Sequence, residues 1–449
     1  MEVLRDCLPS SVRRTLKELP ESLDETYERI LKETKKPNKH LAQRVLQCLV
    51  VAARPLRVAE LAEVLAVDFD DAEEIPRLNP GWRWEDQEQA LLIACSSLIV
   101  IVEAGDVEAS AGDSDVEADD SRVVQFSHFS VKEFLTSSRL ATASGEVSNY
   151  YINLEPAHTT LAETCLGVLQ QIQGDVEECT PDHPLARYAA KHWTSHAQFG
   201  EVSSRLHKGM EYFFDANKPH FKAWLELCDI DTKPTSSATF YWFPSYDNPP
   251  AAPLYYAALC GFHNLVKHLM AKYPQDVNAR GGHYVRPVLA ALAGEHFQTA
   301  DLLRLNGADP HAHGFQGNTP LHSAVNCSNG GGNLEVAQKL IEYGVDVNAE
   351  NNFGSTPLHW ASRNRHFEGG SFVRLLLKHG GDVNTRSTWE GLTSLHEASK
   401  YGALEVVRLL LEHGADVEVK NNDGITALEV AGRENYDEIV KLLREHGAK

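Results

Sequence analysis

A hydroxyl, a proline and a histidine fall within four positions in STPLHWAS, residues 355–362, and such a group could supply a catalytic base or a metal ligand. The same arrangement returns as NTPLHSAV at 318–325 and as LTSLHEAS at 392–399. An active site needs its base once, whereas a residue that returns in each copy of a repeated unit belongs to the architecture of that unit. We therefore predict a structural role for His359 and its counterparts.

The stretch SHFS, residues 127–130, is a second candidate because a Ser–His pair could serve hydrolysis. The sequence contains no GxSxG motif, which positions the serine of many hydrolases. We expect His128 and Ser130 to hydrogen-bond locally at the start of a helix, with Phe129 and Phe134 in the core. No catalytic, metal-binding or cofactor-binding residue is predicted, and we expect no enzymatic activity.

Composition and charge narrow the classes of partner. The net charge of −21 repels phosphate, which disfavours nucleic acid. No apolar run approaches the about 20 residues of a membrane helix, and MEVLRDCLPSSVRR lacks the apolar centre of a signal peptide. Eight cysteines are scattered without CxxC or CxxxC spacing. They predict free thiols in a reducing compartment, the cytoplasm or alternatively the nucleus.

The segment EAGDVEASAGDSDVEADD, residues 103–120, carries eight acids without a basic or aromatic residue. Such a composition predicts a solvated loop, which we place at 103–122. A spacer is the simplest interpretation, and an acidic binding arm is the alternative.

The C-terminal half repeats a unit of two helices. The position of the proline in TPLH recurs at intervals of 34, 33, 37, 37 and 33 residues. These anchor positions are Pro253, Pro287, Pro320, Pro357, Ser394 and Ala427. A short apolar helix follows each anchor, and an amphipathic, Leu-rich helix comes next. The two longer intervals predict insertions at 328–332 and 366–370, between the two helices of a unit.

Residue types at fixed places explain why each unit folds. A threonine before the anchor can cap the first helix, and proline suits the first helical position because no N–H is needed there. The caps are Thr319, Thr356, Thr393 and Thr426. Glycine ends the second helix, where a left-handed backbone is required. These glycines are Gly307, Gly344, Gly380, Gly414 and Gly447.

The pattern resembles the ankyrin repeat, whose period is about 33 residues with a TPLH signature. The resemblance covers about 250–449 and about six units, the last of them a cap. Tyr255 and Leu289 replace the histidine in the first two units. Ala427 and Glu429 replace the proline and the histidine in the last.

This resemblance implies a structural role for three histidines, His322, His359 and His396. In ankyrin proteins the ring bonds to local backbone and hydroxyl groups and ties adjacent units together. The resemblance also implies a gently curved stack that binds proteins on its concave face. We expect a protein partner and no small-molecule ligand, membrane or nucleic acid.

The ankyrin resemblance further implies that a partner contacts the hairpin tips and the exposed part of the first helices. The matching tip residues are Phe315 and Gln316, Asn352 and Phe353, Trp389 and Glu390, and Asn422 and Asp423. The matching helix residues are Arg363, Asn364, Lys400 and Tyr401. Aromatic residues at three successive tips resemble interface anchors, and packing on the neighbouring hairpin is the alternative.

The sequence of the N-terminal half, before the repeats, predicts four segments. Residues 1–36 have helical spacing, and 37–145 predict helices and then two β-branched strands around the acidic loop, which is the order of a winged helix. A helical connector follows at 146–235, and a Pro- and Ser-rich linker, or alternatively a recognition segment, at 236–252. The aromatic residues predicted to fill the core of the connector are Trp193, Trp224, Phe213 and Phe214.

Several runs in this half resemble the segment after the NACHT domain of fungal STAND-class signalling NTPases, including a winged helix named after GPI inositol-deacylase. These runs are LKELPESLDETYERIL, ARPLRVAELAEVL, ACSSLIVIV and FSHFSVKEFL, and HPLARYAAKHWTSHAQ is similar to the connector that follows. Many such proteins end in ankyrin repeats. This sequence contains no GxxxxGK[ST] loop, so NTPase activity is not carried over. We expect a truncated form or a paralogue without the nucleotide-binding domain.

The sequence therefore predicts a mainly α protein with a small winged-helix domain, a helical connector and a C-terminal ankyrin solenoid at 253–449. We expect a non-catalytic adaptor, as the sensor arm of a NACHT-type signalling protein. A nucleic-acid-binding regulator is one alternative, but the helix expected to enter the groove, at 58–67, carries no basic residue. A fragment of a nucleotide-dependent NTPase is another.

Overall fold

A computed structural model describes residues 23–34, 38–69, 76–103, 122–174, 176–228, 230–231, 251–326, 332–364 and 367–449. The chain divides into two compact units, Met1–Cys228 and Asp229–Lys449. Helices dominate both units in the described ranges, which confirms the mainly α class. Within these ranges, no helix is both long and apolar enough to span a bilayer.

The first unit begins with a winged helix. Its helices are α1 (Leu23–Glu33), α2 (Lys39–Val51), α3 (Val58–Leu65), α4 (Gln87–Cys95), α5 (Phe129–Leu135) and α6 (Ser138–Ala141). Its strands are β1 (Leu56–Arg57), β2 (Val67–Asp68), β3 (Arg77–Leu78), β4 (Ile99–Glu103) and β5 (Arg122–Phe126). The order helix, strand, two helices and a two-stranded hairpin confirms the predicted winged-helix arrangement.

The sheet of this domain has the order β1–β5–β4 with antiparallel pairing. The register of β4 and β5 runs from Ile99 opposite Phe126 to Glu103 opposite Arg122. The acidic segment therefore joins the paired ends of two strands, where a wing is expected, and residues 104–121 lie outside the described ranges. The hairpin contributes Ile99, Val123 and Val124 to the core, and the middle of β4 is half-buried.

The helical connector packs on the winged helix within the same unit. Its helices are α7 (Leu154–Leu169), α8 (Val176–Cys179), α9 (Ala186–Ala197), α10 (Val202–Arg205), α11 (His207–Phe213) and α12 (Pro219–Leu227). The predicted aromatic core is confirmed, since Trp193, Trp224, Phe213 and Phe214 are fully buried. Their rings meet mostly edge to face at centroid distances of 5.4 to 6.1 Å, a favourable arrangement for aromatic pairs.

The prediction for the SHFS stretch is right for the histidine and wrong for one phenylalanine. His128 caps α5, and its Nδ1 lies 2.7 Å from Ser130 Oγ and accepts the Ser130 backbone N–H at 3.2 Å. Phe134 is buried, but Phe129 is 73% exposed. The two side chains are five residues apart, and at 3.6 residues per turn they project about 140° apart around α5.

The cysteines of the described ranges are free thiols, as predicted. Most of them are buried, and burial raises the pKa of Cys48 and of Cys95 to about 12. Cys7 and Cys327 lie outside the described ranges.

The second unit consists of paired helices. The first helices are α13 (Pro253–Leu259), α15 (Pro287–Ala293), α17 (Pro320–Ala324), α19 (Pro357–Ser362), α21 (Ser394–Tyr401) and α23 (Ala427–Arg433). The second helices are α14 (His263–Lys272), α16 (Phe297–Leu305), α18 (Leu334–Glu342), α20 (Phe367–Lys378), α22 (Leu404–Glu412) and α24 (Asp437–Glu445). Every first helix begins at its predicted anchor residue. The five predicted terminal glycines have φ between 85° and 95°, which confirms the left-handed stop.

One of the two insertions predicted between the helices of a unit is instead part of the second helix. Residues 367–370 belong to α20, which has 12 residues, whereas α18 and α22 have nine. About four inserted residues complete about one helical turn, so they can extend the helix without disturbing its far end. The other insertion, at 328–332, falls almost entirely outside the described residues, as does most of the predicted linker at 236–252.

Candidate functional site

The repeated histidines are fully hydrogen-bonded inside the ankyrin unit. Nδ1 of His359 accepts the backbone N–H of Thr356 at 3.1 Å and lies 2.9 Å from its hydroxyl. Nε2 of the same ring lies 3.0 Å from the carbonyl oxygen of Leu392 in the next repeat. Because a backbone N–H can only donate, Nδ1 carries no proton, and Nε2–H donates to the carbonyl. The ring is therefore neutral and has a fixed tautomer.

The other two histidines make the same contacts. Nε2 of His322 lies 2.8 Å from the carbonyl oxygen of Ser355, and Nε2 of His396 lies 3.1 Å from that of Ile425. Burial lowers the pKa of His322 to about 4 and also lowers the pKa of His359 and His396. These rings tie each repeat to the next one, and no nitrogen is left over for catalysis or metal binding.

Glu429 shows why the last unit can depart from the pattern. Its carboxylate accepts the backbone N–H of Thr426 at 2.8 Å, as the histidine does in the preceding units. The Thr426 hydroxyl accepts the Glu429 backbone N–H at 3.3 Å, which completes a capping box. A carboxylate has no proton to donate onward, so this unit keeps the helix cap without the link to a following unit.

Two of the predicted tip aromatics lie against each other. The rings of Phe353 and Trp389 meet edge to face, with centroids 6.1 Å apart at an angle of 87°. Phe353 is partly buried by this contact, while Trp389 remains 75% exposed. Packing on the neighbouring hairpin therefore explains Phe353, whereas nothing in the described unit covers Trp389. The Phe315 side chain lies outside the described part of the chain.

Trp389 stands between two cavities that run from the hairpin tips to the first helices. The first has a volume of about 240 Å³, and its lining includes Gln316, Phe353, Trp360, Arg363, Trp389 and Glu390. We call these six residues the Trp389 surface. The second has about 410 Å³, and its lining includes Trp389, Glu390, Lys400, Asn422, Asp423 and Arg433. Most predicted contact residues are thus brought together around one indole ring.

Hydrogen bonds between neighbouring tips hold this surface in shape. The backbone N–H of Asn352 donates to the Gln316 carbonyl at 2.9 Å. Asn422 donates through its backbone N–H to the Glu390 carbonyl at 3.0 Å and through Nδ2 to the Trp389 carbonyl at 3.1 Å. Asn422 therefore braces the tip that carries Trp389, a role that its exposure alone does not reveal.

Asn364 is only 6% exposed, so it offers a partner little surface, and its role as a contact residue stays a prediction. Asn352 and Tyr401 are exposed but line neither cavity.

Sequence reasoning missed several lining residues, among them Trp360 and Glu397. Trp360 and Glu397 line the first cavity, and each directly follows a repeated histidine, in LHW and LHE. Glu397 is 3% exposed and accepts a hydrogen bond from Arg363 at 2.8 Å. Burial alone would lower the pKa of Arg363, but the Glu397 carboxylate more than offsets this and leaves it raised. The residue after the histidine was the available signal, since it falls on the same helix face in every unit.

The winged helix shows which helix could enter a nucleic-acid groove. The second helix of a helix-turn-helix pair has that role, and here it is α4, directly before the hairpin, not the predicted helix at 58–67. The sequence of α4, QEQALLIAC, contains no lysine or arginine. Its exposed side chains are Gln89, Leu92 and Ile93. The argument against phosphate contacts therefore holds for the correct helix as well.

Comparisons with known proteins agree with this architecture. Residues 27–145 match the family described as the GPI inositol-deacylase winged helix domain. Residues 288–387 and 367–449 match the ankyrin repeat family. The chain is also 27% identical over 311 residues, or 66% of its length, to "Azaphilone pigments biosynthesis cluster protein L" of Monascus ruber. The matched region spans 61% of that relative. This chain therefore contains a winged helix domain of the GPI inositol-deacylase type and C-terminal ankyrin repeats.

Proposed function

We propose that this protein is a non-catalytic interaction module that binds a partner protein through the Trp389 surface of its ankyrin repeats. The exposure of Trp389 between two cavities supports this proposal most directly. Tryptophan is enriched among the residues that dominate binding energy, and such residues occupy pockets near the centre of an interface. The six tip and helix residues of the surface come from three successive repeats, so a partner would contact several units at once.

The small size of the first cavity and the polar lining of the second favour a protein partner over a cofactor. The first cavity, at about 240 Å³, is smaller than the about 300–1,000 Å³ typical of small-molecule sites. The second, at about 410 Å³, is lined largely by charged and amide side chains. Neither resembles the mostly apolar pocket of a small-molecule site.

We extend the proposal to the role of the whole chain. In this proposal the helical lead is 1–36, the winged helix is 37–145 and the connector is 146–235. The linker is 236–252, and the partner-selecting arm is 253–449. The GPI inositol-deacylase type of winged helix supports a part in NACHT-type signalling in the fungal cytoplasm. The name of the relative links that protein to a pigment biosynthesis cluster, and we propose a regulatory part for this chain in a comparable pathway.

Replacing Phe353 and Trp389 together by alanine should weaken partner binding about 30-fold, because hot-spot residues contribute about 2 kcal/mol or more. A partner captured by the immobilised full chain and identified by mass spectrometry can be titrated against both forms by biolayer interferometry. Circular dichroism should show unchanged helix content, since Trp389 is exposed.

The matched control is Leu305→Ala, which removes an apolar side chain that is 82% exposed in the second compact unit. Leu305 lines neither cavity. This variant should leave binding unchanged. Equal binding by the wild type and the Phe353/Trp389 double variant would remove the Trp389 surface from the proposal.

The winged helix should not bind DNA in a salt-dependent manner. A protein that contacts phosphates with lysine or arginine loses affinity steeply as salt rises, and α4 offers no such side chain. Fluorescence anisotropy with a labelled duplex at low and moderate ionic strength measures this. Binding at low salt that disappears at moderate salt would instead support the nucleic-acid alternative.

A further inference from the structure

We infer that the first cavity of the Trp389 surface receives a cationic side chain, lysine or arginine, from a basic segment of the partner. This inference rests on the proposed function and adds the chemistry of the partner. It depends on the aromatic rings that line the cavity and on the net charge of its lining.

Three aromatic rings line the cavity. Phe353 and Trp389 stand nearly perpendicular to each other, so a face of one and an edge of the other meet. Trp360 lies on the helix side, where its ring packs edge to face against His322 at 5.5 Å. The negative faces of aromatic rings attract cations, and tryptophan does so most strongly. A cation that enters between these rings therefore finds favourable walls.

The charges of the lining also favour a cation. Arg363 is the positive group, and its guanidinium is already bonded to Glu397 at 2.8 Å. Glu390 is exposed beside Trp389 and forms no salt bridge among the described residues, although its charge also acts on Arg363. Two carboxylates and one guanidinium line the cavity, so the lining keeps a net negative charge. A guanidinium or ammonium could contact the indole of Trp389 and the Glu390 carboxylate together.

An acidic side chain is the opposite candidate, because it could bond to Arg363. The salt bridge of Arg363 to Glu397 runs through Nη2 alone, so an incoming acid need not displace Glu397. It would, however, bring a third carboxylate to a cavity where Glu390 and Glu397 already face a single guanidinium, and like charges repel. The balance of charge therefore favours the cation over the anion.

The inference can be tested with short peptides of matched size. We would titrate acetyl-Gly-Ser-Arg-Ser-Gly amide into the full chain and follow the indole N–H signal of Trp389 by NMR, assigned with Trp389→Phe. Peptides with lysine, citrulline or glutamate in place of the arginine are the matched probes. Citrulline has nearly the shape of arginine without its charge. We expect saturable shifts with arginine and lysine up to about 10 mM, and about tenfold weaker effects with citrulline and glutamate.

Two variants assign the effect to the rim carboxylate. Glu390→Gln should weaken binding of the arginine peptide about tenfold and bring it to the level of citrulline. Glu412→Gln removes an exposed carboxylate from α22 of the same repeat and should change nothing, since Glu412 lines neither cavity. Raising the salt concentration should weaken the wild type and not the Glu390→Gln form.

The failures of the two proposals can be told apart. If the arginine and citrulline peptides bind equally, if the glutamate peptide binds best, or if no peptide shifts the Trp389 signal, the cation inference is overturned. If the Phe353/Trp389 double variant also captures the partner as well as the wild type, the proposed function falls with it. Loss of capture in that variant with unchanged capture by Glu390→Gln would keep the protein-binding function and reject only the cation.

Discussion

Replacing His359 by alanine should lower the free energy of unfolding of the ankyrin repeats around it by about 3 kcal/mol. The ring accepts the Thr356 N–H, contacts its hydroxyl and donates to the Leu392 carbonyl, and it has no exposed surface. Alanine leaves these buried partners unsatisfied, and each such group costs about 1–3 kcal/mol. The loss should extend across the contact between two repeats, because the third bond crosses it.

Hydrogen exchange followed by mass spectrometry is the suitable measurement, since a chain of two units need not unfold in one step. Amides in α19 and α21 should exchange faster in the variant, while those of α9 in the first unit should not change. The control is His379→Ala, which removes an exposed histidine from the same repeat and should stay within about 0.5 kcal/mol of the wild type.

A second variant separates the contact of the ring within its own repeat from its contact with the next repeat. Glutamine at position 359 can still accept the Thr356 N–H, as Glu429 accepts that of Thr426 in the last unit. His359→Gln should therefore lose less stability than His359→Ala. If His359→Ala and His379→Ala cost the same, the linking role of the repeated histidine is refuted.

The free energy of unfolding of the ankyrin repeats should decrease as the pH falls from about 6.5 to about 4. Burial lowers the pKa of His322 to about 4 in the folded chain, against 6.5 for a free histidine. Between these pH values His322 is protonated in the unfolded chain and neutral in the folded chain. The stabilisation is thus complete above pH 6.5 and is lost as the pH falls, at up to about 1.4 kcal/mol per pH unit. His322 alone should account for a loss on the order of 3 kcal/mol, and His359 and His396 act in the same direction.

The structural reason is the fixed tautomer of the ring. A proton on Nδ1 of His322 would face the backbone N–H of Thr319, which donates to that nitrogen at 3.1 Å. Urea denaturation at several pH values, followed by hydrogen exchange in α17 and α19, measures the slope. His322→Gln should be less stable at pH 7 but should have a shallower slope, while His379→Gln should keep the slope of the wild type. An unchanged slope in His322→Gln would contradict the assignment.

Local sequence patterns predicted a large part of the fold because their physical causes are local. Each first helix of the ankyrin unit begins at its anchor, since the threonine cap and the proline act within one turn. The role of the repeated histidines was accessible for the same reason, because two of the three contacts of each ring go to a threonine three positions away. The β-branched runs around the acidic segment likewise predicted the paired strands β4 and β5.

Other properties depended on how the chain turns and on which neighbours it meets. Phe129 carries no local signal of its exposure, because this is set by the phase of α5, and the burial of Asn364 likewise became visible only in the folded chain. The insertion at 366–370 could form a loop or a helical turn from its length alone, and α20 takes the helical turn.

The sequence by itself determined the repeat, its helix starts and the structural role of its histidines, since these arise from contacts within a few residues. It also placed aromatic residues at successive tips. Only the tertiary structure decided that Phe353 packs on Trp389 while Trp389 stays exposed, and that Trp360, Arg363 and Glu397 complete the cavity beside it. Phe353 and Trp389, like Arg363 and Glu397, lie about one repeat apart in the chain, and only the stacking of whole repeats brings them within reach of one another.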